Sequence, residues 1–577
     1  MASRTFGWVQ DPGKIENLRK TVEVFDPSSS TYQELIENRI PALVQEHDGR
    51  DHLLSELSRI PLKLKYNDLV GTAFTPRSES RCDGILQAAI KGQRRAFIGD
   101  WPADNFLRWA HAFGLVEYDK NTDRFSISDF GARYMEVQPD TPAEKEILAQ
   151  AFLSYPPVMR VLNLLADGSH LTKFEVGRQL GFVGEDGFTS LPQNILVRSL
   201  CQTEDSKKRN DMLTNWDGTS DKYARMIAGW LKYMGWVTQS KKWVVAKFGD
   251  EQYKYRISQA YTITDAGLKA RRRGIGTNIQ SRIAKNVYWE MLATKGKDRD
   301  YIRTRRALVL RGIANKSCTL EGLMQQLAGR GFSETQTTIF NDLRGLTRIG
   351  LNIQQEKEGY FLRDTIKNLE IPQLATESSV KSNIQEMVDK CRTVLEHVPH
   401  DYLILIPISF SNKESRLLEM KTTELLVEQC GFDGLHLGGR DQPDGLIFTR
   451  KLRDNYGVII DTKAYKDGFN IAAAERDKMT RYVTENMRRN QEYPQKWWEH
   501  FPSGINMFRF LFVSSKFIGT YESQLKRISE LTQNTRGAAI TSFNLLLLAE
   551  EMAKERITLK NTSEMFSSLA EVKVQIS

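Results

Sequence analysis

Apolar positions follow two different rhythms along the chain. Up to about residue 363 one pattern occurs three times, in NFLRWAHAFGLVEYDKNTDRFSISD at 105–129, DKYARMIAGWLKYMGWVTQSKKWV at 221–244 and TIFNDLRGLTRIGLNIQQEKEGYFLR at 338–363. Each copy opens with helical spacing, passes through a glycine and continues as two short strands around a polar turn. In the second copy Met226, Ile227, Trp230, Leu231 and Met234 make one helical stripe, with Lys222, Arg225 and Lys232 on the other side. A helix stopped by glycine and followed by a hairpin is the end of a winged helix-turn-helix. Such a helix can enter a major groove while the hairpin lies against phosphate. Three copies predict three tandem winged modules. The third offers only Arg344 and Arg348 on its helix, and is the copy best suited to plain packing.

Periodicity fades over 364–382, DTIKNLEIPQLATESSVKS, which reads as a linker. Beyond it helices and strands alternate. Helices are expected over 411–430 and 470–489, strands over 446–449, 456–463 and 507–514, and a last strand–helix unit over 538–554. A chain of 577 residues exceeds one core. The expected domains are 1–147, 148–278 and 279–365 as three modules, 366–382 as linker and 383–577 as an α/β domain with a mixed central sheet, a multidomain α+β class.

Charge sharpens this division. Residues 376–577 hold 27 Lys+Arg against 27 Asp+Glu, whereas residues 1–375 hold 54 against 45. All of the net +9 therefore lies in the modules, where a polyanion would be held. The runs KARRRG at 269–274, with Arg282 and Lys285 after it, and RTRR at 303–306 are candidate phosphate contacts. Five scattered cysteines without a CxxC pair argue against a disulfide framework or zinc site and for a reducing compartment. No signal peptide or membrane span is legible, so a cytoplasmic protein is expected.

The chemistry concentrates in QPDGLIFTRKLRDNYGVIIDTKAY, 442–465. The buried-strand run Gly457–Ile460 ends in Asp461, Thr462 and Lys463, and Asp444 precedes the run Leu446–Phe448. Residues i and i+2 of a strand share a face, so Asp461 and Lys463 project together. If the two runs pair as a hairpin, Asp444 joins them. Two close carboxylates repel unless they share a cation, and Mg²⁺ suits hard oxygen donors. The Thr462 carbonyl is a candidate third oxygen. Lys463 would orient water or stabilise the charge that develops on an attacked phosphate. Pro-Asp, an apolar strand and Asp-x-Lys together match the PD-(D/E)XK nuclease pattern.

The chain then resembles the FokI-like type IIS restriction endonucleases over nearly its whole length. The matching stretches include RTFGWVQDPGK at 4–14, FLRWAHAFG at 106–114, LTKFEVGRQLGF at 171–182, SDKYARMIAGW at 220–230, VYWEMLAT at 287–294, HLGG at 436–439, PDG at 443–445 and VIIDTKAY at 458–465. The resemblance implies Mg²⁺-dependent cleavage to one side of an asymmetric double-stranded DNA site, dimerisation of the nuclease domain, and a cognate methyltransferase in the same system. It makes Asp444, Asp461 and Lys463 the catalytic set, with Glu424 where a further acid occurs. It places DNA contacts at Gln10, Arg77, Trp109, Lys222 and Arg225, and the dimer contact at Asp477 and Arg481. Asp11, Thr214 and Asp217 depart from the family pattern at base-reading positions, and Asp441-Gln442 replaces a basic pair. The alternative is a winged-helix regulator whose nuclease-like domain serves assembly alone.

Overall fold

The structure is a computed structural model. It describes all residues except 1–5, 11–14, 73–80, 183–184, 186, 189, 191–192, 249–250, 277–281, 295–298, 333, 357–358, 373–382, 413, 440, 451, 494–495 and 576–577. Arg77, Asp11 and the second half of the expected linker lie outside the described residues. Two compact units result. One comprises Met1–Phe182, Gly218–Lys242 and Ile257–Ser378, the other Val183–Asp217, Trp243–Arg256 and Ser379–Ser577.

The first unit contains the threefold pattern apart from residues 243–256 of the second copy's hairpin. Strand β1 (Leu64–Lys65) and helix α1 (Asp100–Ala112) precede the hairpin β2 (Val116–Asp119) and β3 (Arg124–Ile127), in a sheet ordered β1-β3-β2. The second copy repeats this with β4 (Leu171–Thr172), α2 (Ser220–Tyr233), β5 (Val237–Phe248) and β6 (Glu251–Ile263), ordered β4-β6-β5. In the third, α3 (Gln336–Arg348) leads to β7 (Ile353–Glu356) and β8 (Gly359–Leu362), and a bridge between Cys318 and Tyr360 takes the place of β1 and β4. Each helix turns into its hairpin through a glycine in the left-handed region, Gly114 at φ 71°, Gly235 at 71° and Gly350 at 112°. A side chain there would be strained, which explains why all three copies place glycine at this point. The apolar stripe of α2 is buried through Met226, Ile227, Trp230 and Leu231. Each such side chain contributes roughly 1.5–3 kcal/mol.

Two features cut across the expected division. Within the expected module 148–278, residues 183–217 and 243–256 cluster with the C-terminal unit. There Arg198 Nη1 donates to the carbonyl of His436 at 3.0 Å, and Arg416 lies over the Trp216 ring at 5.3 Å. The expected linker also begins as structure, since Ile366–Lys367 pairs in parallel with Lys285–Asn286. Its backbone groups find partners that apolar periodicity does not announce.

The second unit centres on a six-stranded sheet, β9 (Asp433–His436), β10 (Gly445–Phe448), β11 (Tyr456–Lys463), β12 (Met507–Ser514), β13 (Gly537–Thr541) and β14 (Glu571–Val572), side by side in that order. The first two pairings are antiparallel and the remaining three parallel, so the sheet is mixed as expected. Helices α4 (Ser415–Glu428) and α6 (Ser542–Ala553) cover one face through Leu418, Leu425, Leu545 and Leu548, against Ile447, Val458, Ile460 and Val513. Helix α5 (Ala473–Arg488) covers the other through Met479, Tyr482 and Val483, against Leu446, Ile459 and Phe512. Burial on both faces is why the central strands read as unbroken apolar runs rather than as alternation.

Candidate active site

The pairing of β10 with β11 runs from Gly445 opposite Ile460 to Phe448 opposite Gly457. It brings Asp444 to the end of β11 that carries Asp461. The Asp444 amide donates to the Ile460 carbonyl at 3.1 Å, and its own carbonyl accepts from the Leu437 amide at 2.9 Å. Asp444 Oδ2 accepts from the Thr462 amide at 2.6 Å and from Thr462 Oγ1 at 3.1 Å. Thr462 thus turns its hydroxyl to Asp444, a contact that strand alternation alone did not indicate.

Asp461 is buried, with 1% of its surface exposed. Lys478 Nζ from α5 donates to Asp461 Oδ1 at 3.0 Å. Lys463 Nζ stands 2.7 Å from Asp461 Oδ2 and 3.0 Å from Glu475 Oε2. Oδ2 nevertheless lacks a hydrogen bond of proper geometry. The Lys463 ammonium therefore meets Oδ2 as an ion pair, and both carboxylate oxygens of Asp461 are held by cations.

Electrostatics support that reading. Burial, then the charges of Asp461 and Glu419, push the Asp444 carboxyl up to about 8. Burial alone would lower the Lys463 ammonium, but the Asp461 and Glu475 carboxylates outweigh it and raise its pKa. Two carboxyl groups that resist ionising together form a donor set that a hard divalent cation would satisfy. The residues present fit such an ion.

Glu419 is the acid that the sequence reading missed. It lies on α4 four residues before Thr423, whose Oγ1 lies against Gly445, and its Oε2 stands 3.3 Å from His436 Nε2. Helical stacking of residue 419 over 423 was the available signal. Glu424 is instead taken up by Lys421, at 2.8 Å. A second cluster, Glu396, His397 and Glu550, has carboxylate and imidazole atoms within 4.8 Å of one another. Glu550 there accepts the amides of Glu396, His397 and Val398, and Lys554 Nζ stands 3.2 Å away, so the cluster ties a turn to α6.

On α5, Asp477 and Arg481 are exposed and lie away from the buried stripe, as expected. They do not pair with each other. Asp477 takes Arg476 at 2.7 Å, whereas Arg481 stands 3.4 Å from Asp441 and 3.7 Å from Glu485.

The expected DNA contacts fare unevenly. Lys222 and Arg225 are part-exposed on α2, opposite its buried stripe. Gln10 is part-buried, its backbone N–H donating to Asn105 Oδ1 at 3.1 Å. Trp109 is a correction. It is wholly buried and stacks on Trp230 at 5.1 Å, so it is a core residue joining α1 to α2. The tryptophan that α1 exposes is Trp101, at 47%. RTRR is a correction too. Arg305 and Arg306 are buried around Asp342, at 2.6 and 2.8 Å, and Arg303 Nε donates to the Ala293 carbonyl. Lys285 is buried with Nζ on the Leu153 and Gly274 carbonyls. In α3, Arg348 donates to the Gly181 carbonyl at 2.9 Å.

Family models for FokI match four stretches: recognition subdomain 1 at residues 4–137, recognition subdomain 2 at 144–280, the D3 domain at 292–358 and the cleavage domain at 381–573. The chain is 43% identical to the type II restriction enzyme FokI of Planomicrobium okeanokoites over 98% of both chains. It is 30% identical to the type II restriction enzyme StsI of Streptococcus sanguinis, over 97% of this chain and 94% of that one. Solved structures of restriction endonuclease FokI match with a TM-score of 0.90 at 42% identity, and bound to DNA with 0.93 at 43%. Each covers 99% of this chain and 100% of the other.

Proposed function

Because the chain belongs to the FokI family of type II restriction enzymes, and is a site-specific deoxyribonuclease, we propose that it acts as a type IIS endonuclease. It binds a short asymmetric sequence in double-stranded DNA through winged-helix modules within 1–147, 148–278 and 279–365. It cuts to one side with a PD-(D/E)XK domain over 383–577 that pairs transiently with a second copy. The setting is the bacterial cytoplasm, beside a cognate methyltransferase that protects host DNA. Among the described residues no helix is long and apolar enough to cross a membrane.

The observation that carries the catalytic assignment is the convergence of Asp444 and the buried Asp461, with Lys463 2.7 Å from Asp461, at one end of the paired strands. Asp444, Asp461 and the Thr462 carbonyl would hold Mg²⁺. Such an ion, when bound, offsets the charge that develops on the attacked phosphate and activates water. Lys463 stays protonated between Asp461 and Glu475 and presents a fixed positive charge to the phosphate. Thr462 fixes the Asp444 carboxylate through its amide and hydroxyl, so no reorganisation of that group is needed during reaction. On the reading side Lys222 and Arg225 suit guanine O6 and N7, and Gln10 suits adenine, with Arg77 a further contact. Asp477 and Arg481, four residues apart on α5, suit reciprocal pairing across a two-fold axis.

The test is cleavage of plasmid DNA beside a gel-shift assay in Ca²⁺. Asp461→Ala and Asp444→Ala should bind DNA as the parent does and leave it uncut in Mg²⁺. Mg²⁺-dependent cutting by a pure Asp461→Ala preparation would remove the assignment.

A further inference from the structure

We propose that Lys478 is a positioning residue that occupies Asp461 in the ion-free enzyme and must give way when a divalent cation binds, so that ion binding is coupled to helix α5. The inference rests on the assignment of Asp444 and Asp461 as the ion site. Lys478 enters neither the PD-(D/E)XK pattern nor the roles given above to Asp444, Asp461 and Lys463.

Two ammonium groups meet one buried carboxylate. Lys463 Nζ approaches Asp461 Oδ2 at 2.7 Å and Lys478 Nζ approaches Oδ1 at 3.0 Å. One cation suffices to neutralise Asp461, so the second is in excess once a doubly charged ion arrives. The two lysines are not held equally. Lys463 also has Glu475 Oε2 at 3.0 Å, and its side chain is 12% exposed. Lys478 has Asp461 as its one carboxylate partner within 4 Å among the described residues, and its side chain is 34% exposed. Its nearest other support is the face of the Tyr482 ring, at 5.5 Å. Repulsion from an incoming ion therefore displaces Lys478, which has open solvent to swing into, and leaves Lys463 in place.

The consequence reaches beyond the site because Lys478 lies on α5 between Asp477 and Arg481. Glu475, the counter-charge of Lys463, lies on the same helix. The N-terminal half of α5 is thus fastened to the end of β11 by two ion pairs, Glu475–Lys463 and Lys478–Asp461, and the second competes with the cation. Releasing it loosens the helix face that bears Asp477 and Arg481 at the moment the site becomes charged. Lys478, freed from Asp461, is then a cation beside the place where a phosphate would lie.

The test is calorimetric titration of the full-length protein with Mn²⁺ in the absence of DNA, beside hydrogen exchange of the α5 amides. Lys478→Met should bind Mn²⁺ about tenfold more tightly than the parent, since an ammonium a few ångströms from the ion is gone. Lys478→Arg, which keeps the charge, should stay within about twofold of it. Mn²⁺ should speed exchange over 473–488 in the parent and not in Lys478→Met. An unchanged or weaker affinity in Lys478→Met would overturn the clamp while leaving the ion site standing, provided that Asp461→Ala loses Mn²⁺ binding. If Asp461→Ala binds Mn²⁺ as the parent does, the ion site fails and the clamp fails with it. Equal exchange with and without Mn²⁺ in the parent would overturn the coupling to α5.

Discussion

At the scale of single residues, Asp444 shows how burial and a like charge combine. Its carboxyl is pushed up to about 8, where a free aspartate sits near about 4. Between those two values the ion-free fold holds a proton that the unfolded chain has released. Stability of the ion-free protein should therefore fall as pH rises through that window, and level off above it. A divalent ion needs the carboxylate, so Mn²⁺ affinity should rise by roughly tenfold between about pH 6.5 and about 7.5. Asp444→Asn should flatten the stability profile and lose the ion, which calorimetry at several pH values would read. Trp109 makes a contrasting case. Wholly buried and stacked on Trp230, it should cost about 3–5 kcal/mol of stability on truncation to alanine. Trp101→Ala, at an exposed position, should leave unfolding within about 0.5 kcal/mol and weaken DNA binding instead. Denaturant titration beside a gel shift separates the two. The two tryptophans also show what was legible at this scale. Asp444, Asp461 and Lys463 could be placed from sequence because a strand's two-residue period and a short hairpin bring them together by local rules. The burial of Trp109 depends on Trp230, 121 positions away on another helix, and helical spacing within one segment carries no such information.

Among elements, α5 faces two ways. Its buried stripe of Met479, Tyr482 and Val483 anchors it to the sheet, and its polar side meets the loop before β10. Tyr482 donates to the Gln442 carbonyl at 2.8 Å, and Asp441 stands 3.4 Å from Arg481. That contact holds Arg481 within its own chain and so competes with any pairing to a second copy. An exposed pair of this kind is worth about 0.2–1 kcal/mol. Asp441→Asn should therefore raise the rate of double-strand cleavage at low enzyme concentration by roughly two- to fivefold, with little change at saturating enzyme. A cleavage series over enzyme concentration would show it, and an unchanged series would mean that Arg481 is not limited by Asp441. The central elements were legible from sequence because burial on both faces writes β10 to β12 as apolar runs. The edge strands β9 and β14 were not, since four and two residues with part-exposed positions give too short a pattern. The sharing of 183–217 and 243–256 with the C-terminal unit was also hidden, because it rests on contacts such as Arg198 to His436 that no periodicity encodes.

Across the whole molecule, charge is unevenly divided. The net +9 falls entirely in residues 1–375, and residues 376–577 are balanced. Much of the basic excess proves to be structural. Arg303, Arg305, Arg306 and Lys285 are buried on internal carbonyls and carboxylates, and Arg273 is paired with Glu146. The charges free to meet a polyanion are thus fewer than composition suggests, and Lys222 and Arg225 on α2 are part-exposed. Affinity for DNA falls with salt in proportion to the phosphates neutralised, by about 0.9 in logarithmic slope for each. For the full chain carrying Asp461→Ala, Lys222→Gln should lower that slope by at most about 0.9 if Lys222 meets a phosphate. If it reads a base edge instead, the slope should hold while affinity for the cognate site alone drops by about 1–3 kcal/mol. Lys526→Gln, on the balanced half, should change neither quantity. Fluorescence anisotropy across a salt series, with cognate and scrambled duplexes, distinguishes these outcomes. A slope that responds equally to Lys526→Gln would mean that the nuclease half holds DNA on its own, and cutting would then no longer depend on the reading modules to bring it to the site.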